Sequence, residues 1–501
     1  MHVYERIHEK KDYEDGIVLK ACDAVEAIFQ LHKSWEYRQL STGGIAVSVI
    51  LALAPKFMLD NPEMFRIPEG MDTKEIEKRF LCESPESNAD FMMALLHQLG
   101  QANFQNEKVL FSFLRTAEEK EYAKFMAHAY SYMTGQDFNV IRHPYLLYEA
   151  VMEILPDMIR YEGKSSAEQY TEFGIDNLMA ELADIKDGDK LYDGACGFGV
   201  LMSVALAETR AQAYMQDCYF YPAAVARMLM LMIGRPDAEV SVADTLVSPS
   251  ISGNYGPFDK FLTHPPFGFR TTNSDKFLEM TQYSDRLFNT DVRNDQWLFI
   301  RQALNLLNDR GSGVALMNVA ALNRDGRQYR DTRAEMIMRG YIRAVIELPV
   351  GVIGGSNTKW SIVLFDKAQR HDEIYLLDLS RKNVYLNFNR NGGRLEIDEE
   401  GIGDIAACVH DRTIIEGMSG VFSTKEIADH DYRLSVGTYI QDKSKQEEFL
   451  AESVKLWEKR EVLKSAYEAA DKELEDLISQ YNAYKNTMEG SGDAAEMEDD
   501  E

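Results

Sequence analysis

Between Lys190 and Phe365 short β-forming runs alternate with longer amphipathic helical stretches, and few folds admit that alternation. The runs expected as strands are Lys190–Tyr192, Ala213–Met215, Glu239–Val242, Lys260–Thr263, Gly313–Asn318, Arg343–Glu347 and Trp360–Phe365. Helix-length stretches such as Val200–Thr209 and Ala223–Ile233 lie between them. Alternation at this spacing predicts a Rossmann-like α/β fold with a mainly parallel, doubly wound sheet. Ligands of such sheets bind at the carboxyl ends of the strands. Ile374–Leu377 and Val384–Leu386 are candidates for two further short strands.

The flanks read differently. Residues 1–150 carry helical periodicity, as in Asp23–His32, Phe91–Leu99 and Glu118–Met133, and are expected to form an N-terminal helical domain. Pro144 interrupts the pattern, because proline disfavours helix in the residue before it. A further helix is expected over Leu146–Tyr161, at the start of an α/β domain spanning 151–390. A connecting region, 391–443, then leads to a C-terminal helix, 444–486. In that helix Tyr467, Ala470, Leu474, Leu477, Tyr481 and Tyr484 recur at three- and four-residue steps, a coiled-coil-like seam. The acidic tail 487–501 is expected to be disordered.

Composition narrows the setting. The five cysteines are scattered and form no Cys-x-x-Cys pair, which argues against a disulfide framework or structural zinc site and suits a reducing cytoplasm. No metal site is expected. The longest apolar run, Ile45 to Pro55, is about half the ~20 residues a membrane-spanning helix needs, so it reads as a buried core helix and no membrane partner is expected. The formal net charge is −28. A protein that holds nucleic acid alone usually presents a basic footprint, so any attraction for DNA would come mainly from another subunit.

Four constellations fall at strand ends. Leu191-Tyr-Asp-Gly-Ala-Cys-Gly-Phe-Gly-Val-Leu201 ends a strand at Asp193 and turns into a helix. Gly197 and Gly199 permit the sharp turn and close approach of a ligand to backbone N–H groups. Tyr214-Met-Gln-Asp217 and Val242-Ala-Asp-Thr-Leu246 each place a carboxylate after a strand, where Rossmann-like folds receive ribose hydroxyls. Phe258-Asp-Lys-Phe-Leu-Thr-His-Pro-Pro-Phe-Gly268 runs a strand into a stiff loop. Its prolines donate nothing, and its aromatic offers a face for stacking. Each turn alone is an ordinary strand-to-helix connection or helix cap; their order along one rim is the informative part.

That order resembles N6-adenine DNA methyltransferases, and most closely the modification subunit of type I restriction–modification systems. Glu168-Gln-Tyr-Thr171, Asp295-Gln-Trp-Leu-Phe299, Gly311-Ser-Gly-Val314 and Ile346-Glu-Leu-Pro-Val-Gly-Val352 extend the likeness over most of the chain. It implies a methyltransferase that uses S-adenosylmethionine, with the cofactor held by Thr171, Asp193, Ala195, Gly197, Gly199, Asp217 and Asp244. Among these, Asp217 would take the ribose hydroxyls and Asp244 the adenine amino group. His264, Pro265, Pro266 and Phe267 would meet a target adenine swung out of double-stranded DNA. In the family, an Asn side-chain oxygen and a proline-loop carbonyl accept from the N6 amine, which frees its lone pair for the methyl group. The likeness also implies a DNA-specificity subunit on the helix at 444–486, with room for an endonuclease subunit.

The chain departs from that family at its functional rim. His264 replaces Asn, Gly194 stands where Pro is usual, Phe198 where Ser is usual, and Glu172 where Pro follows the Thr. A neutral imidazole accepts only one hydrogen bond, and a protonated one would repel a cationic methyl donor. Phe198 would crowd the cofactor. Two readings therefore stand: an active adenine methyltransferase subunit with an unusual base contact, and a catalytically impaired scaffold or regulatory subunit of a DNA-acting complex.

Overall fold

The computed structural model describes residues 15–40, 43–117, 119–162, 173–246, 255–266, 296–350, 358–380, 388–391, 394–397, 399–440 and 443–492. They fall into two compact units, Met1–Ile440 and Gln441–Glu501. Among the described residues no helix is long and apolar enough to cross a membrane.

The first unit opens with helices Asp15–Lys33, Ile45–Ala52, Ala54–Asp60, Thr73–Cys82, Pro85–Asn103, Lys108–Thr116, Lys120–Met133 and Leu146–Glu162. Their starts follow local chemistry. The Asp72 side chain accepts the Lys74 N–H and caps Thr73–Cys82, while Ser84 caps a helix whose first residue is Pro85. The apolar run from Ile45 is buried, but it forms two helices, because Pro55 supplies no N–H to continue the first. Leu146–Glu162 runs across the boundary expected at residue 150, and its buried face joins the same apolar core as Asp15–Lys33.

Eleven strands follow: β1 Lys190–Asp193, β2 Gln212–Asp217, β3 Glu239–Val242, β4 Phe258–Thr263, β5 Leu307–Asn318, β6 Ile342–Glu347, β7 Trp360–Asp366, β8 Glu373–Asp378, β9 Phe388–Asn391, β10 Arg394–Ile397 and β11 Ser419–Ser423. Nine form one sheet in the order β3-β2-β1-β4-β5-β7-β6-β8-β11. Neighbours are parallel from β3 through β5 and again between β6 and β8. β7 lies antiparallel between β5 and β6, and β11 lies antiparallel at the edge on β8. β9 and β10 pair as a separate hairpin. The strand expected at Val384–Leu386 lies outside the described residues.

Alternation along the strands separates two cores. Leu191, Leu262, Ala344 and Ile346 join a core shared with the N-terminal helices, Val200–Ala207 and Phe220–Met232. Their neighbours Tyr192, Phe261 and Val345 face Gln296–Leu306 and Arg327–Met338. One buried ion pair also ties the N-terminal helices to the sheet layer. Arg227 grips Glu107 with two guanidinium nitrogens, Nε at 2.8 Å, and donates through Nη1 to the Ala238 carbonyl at 2.8 Å.

The region 391–443, expected as a connection, carries structure of its own. Helix Glu399–His410 contributes Ile402, Ile405 and Val409 to the first core, β11 extends the sheet, and the Val436 N–H reaches the Glu347 carboxylate at 3.2 Å. The second unit is the helix Lys443–Gly492. Leu456, Trp457, Leu463, Tyr467, Leu474, Leu477, Tyr481 and Tyr484 are exposed along it.

Candidate functional site

Strand order reverses between β1 and β4, because β2 and β3 lie on one side of β1 and β4 and β5 on the other. A crevice opens at the carboxyl ends of strands at such a switch point. Asp193 and Thr263 end the two central strands there. The Thr263 hydroxyl donates to Asp193 Oδ1 at 2.9 Å, and the Ala195 N–H donates to the same oxygen at 3.0 Å. Burial pushes the Asp193 carboxyl up to about 7, and the nearby Asp217 charge adds to the shift. The two donors only partly oppose it.

The turn after β1 is held by the end of β2. The Cys196 N–H donates to the Gln216 carbonyl at 3.1 Å, and the Gly197 N–H donates to Asp217 Oδ2 at 3.0 Å. Asp217 Oδ1 accepts the Tyr219 N–H at 2.8 Å. Burial raises the Asp217 pKa, while these N–H donors pull it back. Gly197 and Gly199 have φ of 52° and 79°, in the left-handed region. At Gly199 the need is internal, since a Cβ there would lie 2.8 Å from the Ala226 Cβ. Asp244 follows β3 and accepts the Leu246 N–H at 2.9 Å, and the Ala243 N–H bonds the Asp217 carbonyl. Asp193, Ala195, Gly197, Gly199, Asp217 and Asp244 thus gather on one rim, while Thr171 lies outside the described residues.

Two departures from the family pattern have local reasons. A Cβ on Gly194 would stand 2.5 Å from Tyr192 Oη and 2.8 Å from Thr245 Oγ1. Those two hydroxyls bond each other at 2.7 Å and fill the space. Phe198 is buried, and its ring belongs to the first apolar core together with Cys196, Val200 and Leu201.

After β4 the His264 ring stands edge-on to Trp360, with centroids 4.9 Å apart and planes at 89°. The imidazole keeps some exposure, but the protein packed around it pushes its pKa down to about 4. It is therefore neutral at physiological pH, which removes the charge conflict expected of a protonated ring. The Pro265 carbonyl accepts from Gln296 Nε2 at 2.7 Å. Phe267 and Glu172 lie outside the described residues.

Motif reading assigns no site role to Thr263, Gln296, Trp360 or Tyr219, whose side chain is exposed and whose N–H bonds Asp217. An aromatic two residues past a strand-end acid, and a Gln opening the apolar stretch Trp297-Leu-Phe-Ile300, were the available signals.

The rim fits S-adenosylmethionine chemically. Asp217 and Asp244 keep acceptor capacity for hydroxyl and amino donors, the glycine turn brings main chain to the crevice, and a cation would stabilise the charged form of the buried Asp193 carboxyl. Residues 146–448 match the family model described as N-6 DNA Methylase. The chain is 22% identical over 434 residues to the type I restriction enzyme MjaVIII methylase subunit of Methanocaldococcus jannaschii, covering 78% of this chain and 73% of that one. Among solved structures, the type I restriction-modification methyltransferase subunit from Streptococcus thermophilus aligns with a TM-score of 0.69 at 17% identity, covering 85% of this chain and 100% of that one. A modification subunit of a type I restriction enzyme from Vibrio vulnificus aligns with a TM-score of 0.59 at 15% identity, covering 81% and 93%. At these identities the structural likeness speaks for the fold alone.

Proposed function

Because the chain belongs to the N-6 DNA methylase family, we propose that it is the modification subunit of a type I restriction–modification complex and methylates adenine N6 in DNA. The observation that carries this reading is the convergence at one switch point of the Asp193–Gly199 turn, Asp217, Asp244 and the Pro265 carbonyl. S-adenosylmethionine, when bound, supplies an electrophilic methyl group on a sulfonium.

The chain's own residues perform the rest. Asp217 and Asp244 would accept from the cofactor's hydroxyl and amino groups, and a bound cation would favour the ionised form of Asp193, which burial otherwise disfavours. His264 and Pro265 are adjacent acceptors for the two hydrogens of an adenine amine, provided the base leaves the duplex. With both hydrogens so engaged, the nitrogen lone pair would be freed for an electrophilic methyl group supplied by the cofactor. Neutral His264 stands in for the amide oxygen of the family's Asn.

A DNA-specificity subunit binds the exposed seam of Lys443–Gly492 and supplies most of the attraction for DNA, which a chain of net charge −28 does not provide alone. The site residues, the cytoplasmic setting and an associated endonuclease subunit belong to the same proposal.

The substitution at residue 264 favours the second reading, a subunit that binds but does not transfer. Calorimetry with S-adenosylmethionine and transfer of labelled methyl to unmethylated DNA, on the complex with its specificity subunit, decide between them. Saturable binding with transfer to adenine supports the enzyme. Absence of cofactor binding at millimolar concentration overturns it, and binding without transfer favours the impaired subunit.

A further inference from the structure

The loop after β4 has an unusual anchoring problem. Pro265 and Pro266 carry no N–H, so over these two residues the main chain offers only acceptors. A donor that holds it there must come from another element. Gln296, fully buried at the start of helix Gln296–Leu306, is that donor. Its Nε2 donates to the Pro265 carbonyl at 2.7 Å, and its Oε1 accepts the Asn318 N–H at 2.7 Å. Asn318 is the last residue of β5, and its side chain accepts the Ala320 N–H at 2.8 Å to cap helix Val319–Asn323.

A series of amide hydrogen bonds therefore runs from the end of β5 through one side chain to the loop. Bonds in such a series polarise one another. A carbonyl oxygen has two lone pairs, so the bond from Gln296 leaves the Pro265 oxygen one acceptor site and fixes its position. A free loop would present the same carbonyl with no preferred direction.

We propose that Gln296 is the positioning residue of the target-base loop, holding the Pro265 carbonyl where the amine of an extruded adenine donates to it. This rests on the adenine-methylating function proposed above. Gln296 is fully buried and both ends of its amide bond main chain, so its effect would pass through Pro265. Glu at this position keeps an acceptor for Asn318 but turns a carboxylate oxygen toward the carbonyl. Met keeps the side-chain length and loses both bonds.

The test compares the wild type, Gln296→Glu and Gln296→Met in the intact complex with its specificity subunit and unmethylated DNA. We expect kcat to fall ~10–10²-fold, the scale of a misplaced reacting group. Cofactor affinity and KM for DNA should stay within about threefold of wild type, since Gln296 is placed to govern geometry at the reacting amine and not uniform binding. Because Pro265 and Pro266 carry no N–H, hydrogen–deuterium exchange should rise at the His264 amide and the last amides of β4, while β1, β6 and β8 keep their protection. An unchanged kcat in Gln296→Glu overturns the proposal, as does a loss explained entirely by the unfolded fraction. If the wild-type complex transfers no methyl group, the proposed function fails separately. The exchange comparison then decides Gln296 alone: faster exchange at the His264 amide and the end of β4 supports the anchor, and unchanged exchange there in both variants refutes it.

Discussion

Asn318 of β5 and Trp360 of β7 stand opposite each other on one rung of the sheet. Each governs a different residue of the loop after β4. Trp360 packs against the His264 ring, and Asn318 holds the Pro265 carbonyl through Gln296. The two acceptors proposed for the target amine are thus set from a single place in the framework, which makes their separation a property of β5–β7 pairing.

Replacing His264 with Asn returns a side-chain oxygen to the position where the family has one. Transfer at saturating cofactor should rise ~10²–10³-fold, the usual worth of one oriented hydrogen-bonding group, with S-adenosylmethionine affinity unchanged. Losing the edge-on contact with Trp360 should cost about 1 kcal/mol, read as a Tm lowered by about 1 °C in a unit of this size. A variant no faster than wild type would count against an acceptor role for residue 264.

Asp193 makes stability depend on pH. Its folded carboxyl titrates at about 7, against roughly 4 in an unfolded chain. Between those values the folded protein holds the extra proton, so stability falls as pH rises through that window. Asp193→Asn keeps an acceptor for Ala195 and Thr263 and should lose this decline. Its Tm should exceed that of wild type more at pH 8 than at pH 5. Parallel Tm curves across that range would contradict the prediction.

The Glu107–Arg227 pair is buried on both sides. Glu107→Ala leaves the guanidinium with only carbonyl partners, so unfolding free energy should drop by about 3–5 kcal/mol. Denaturant titration measures this, and a drop below about 1 kcal/mol would show that solvent reaches Arg227.

Gly194 and Tyr192 should be energetically coupled. Gly194→Ala meets the tyrosine hydroxyl, and overpacking of this kind costs about 1–3 kcal/mol. The penalty should shrink in a Tyr192→Phe background, and a double-mutant cycle reads the difference. Additive effects would mean the turn relaxes elsewhere.

Ending the chain after Ile440 removes the second unit. The remaining unit should keep its Tm and bind S-adenosylmethionine as before, yet fail to retain the specificity subunit on co-purification. Retention of that subunit would move the docking site off the helix.

The framework was legible because its signals are local. β1, β2 and β3 end where their strand-end acids and glycines end the pattern, and β6 and β7 differ from expectation by one residue at an end. β11 was hidden. Its five residues, Ser419–Ser423, have weak alternation and earn strand geometry only from pairing with β8. The candidate rim was legible where one motif marked both a strand end and a turn, as at Asp217, which ends β2 and accepts the Gly197 N–H. Gln296 and Trp360 reach the β4 loop from about 30 and 95 positions away, through contacts that only the sheet order creates. No spacing rule connects them to His264.

Because β7 enters antiparallel between β5 and β6, the order of synthesis bears on how the site matures. The turn after β1 and the proline loop leave the ribosome long before Trp360 does, and the sheet stays split until that later strand inserts into its middle. Nascent chains ending before β7 should expose open strand edges on β5 and on both sides of β6, since β8 also follows β7, and so be prone to aggregate. They should also lack the rung that orders the β4 loop. The rung that orders the β4 loop and the join between the two parts of the sheet thus arrive together, before β8 and β11 extend the edge, and a chain stopped short of β7 holds its proposed base loop unset.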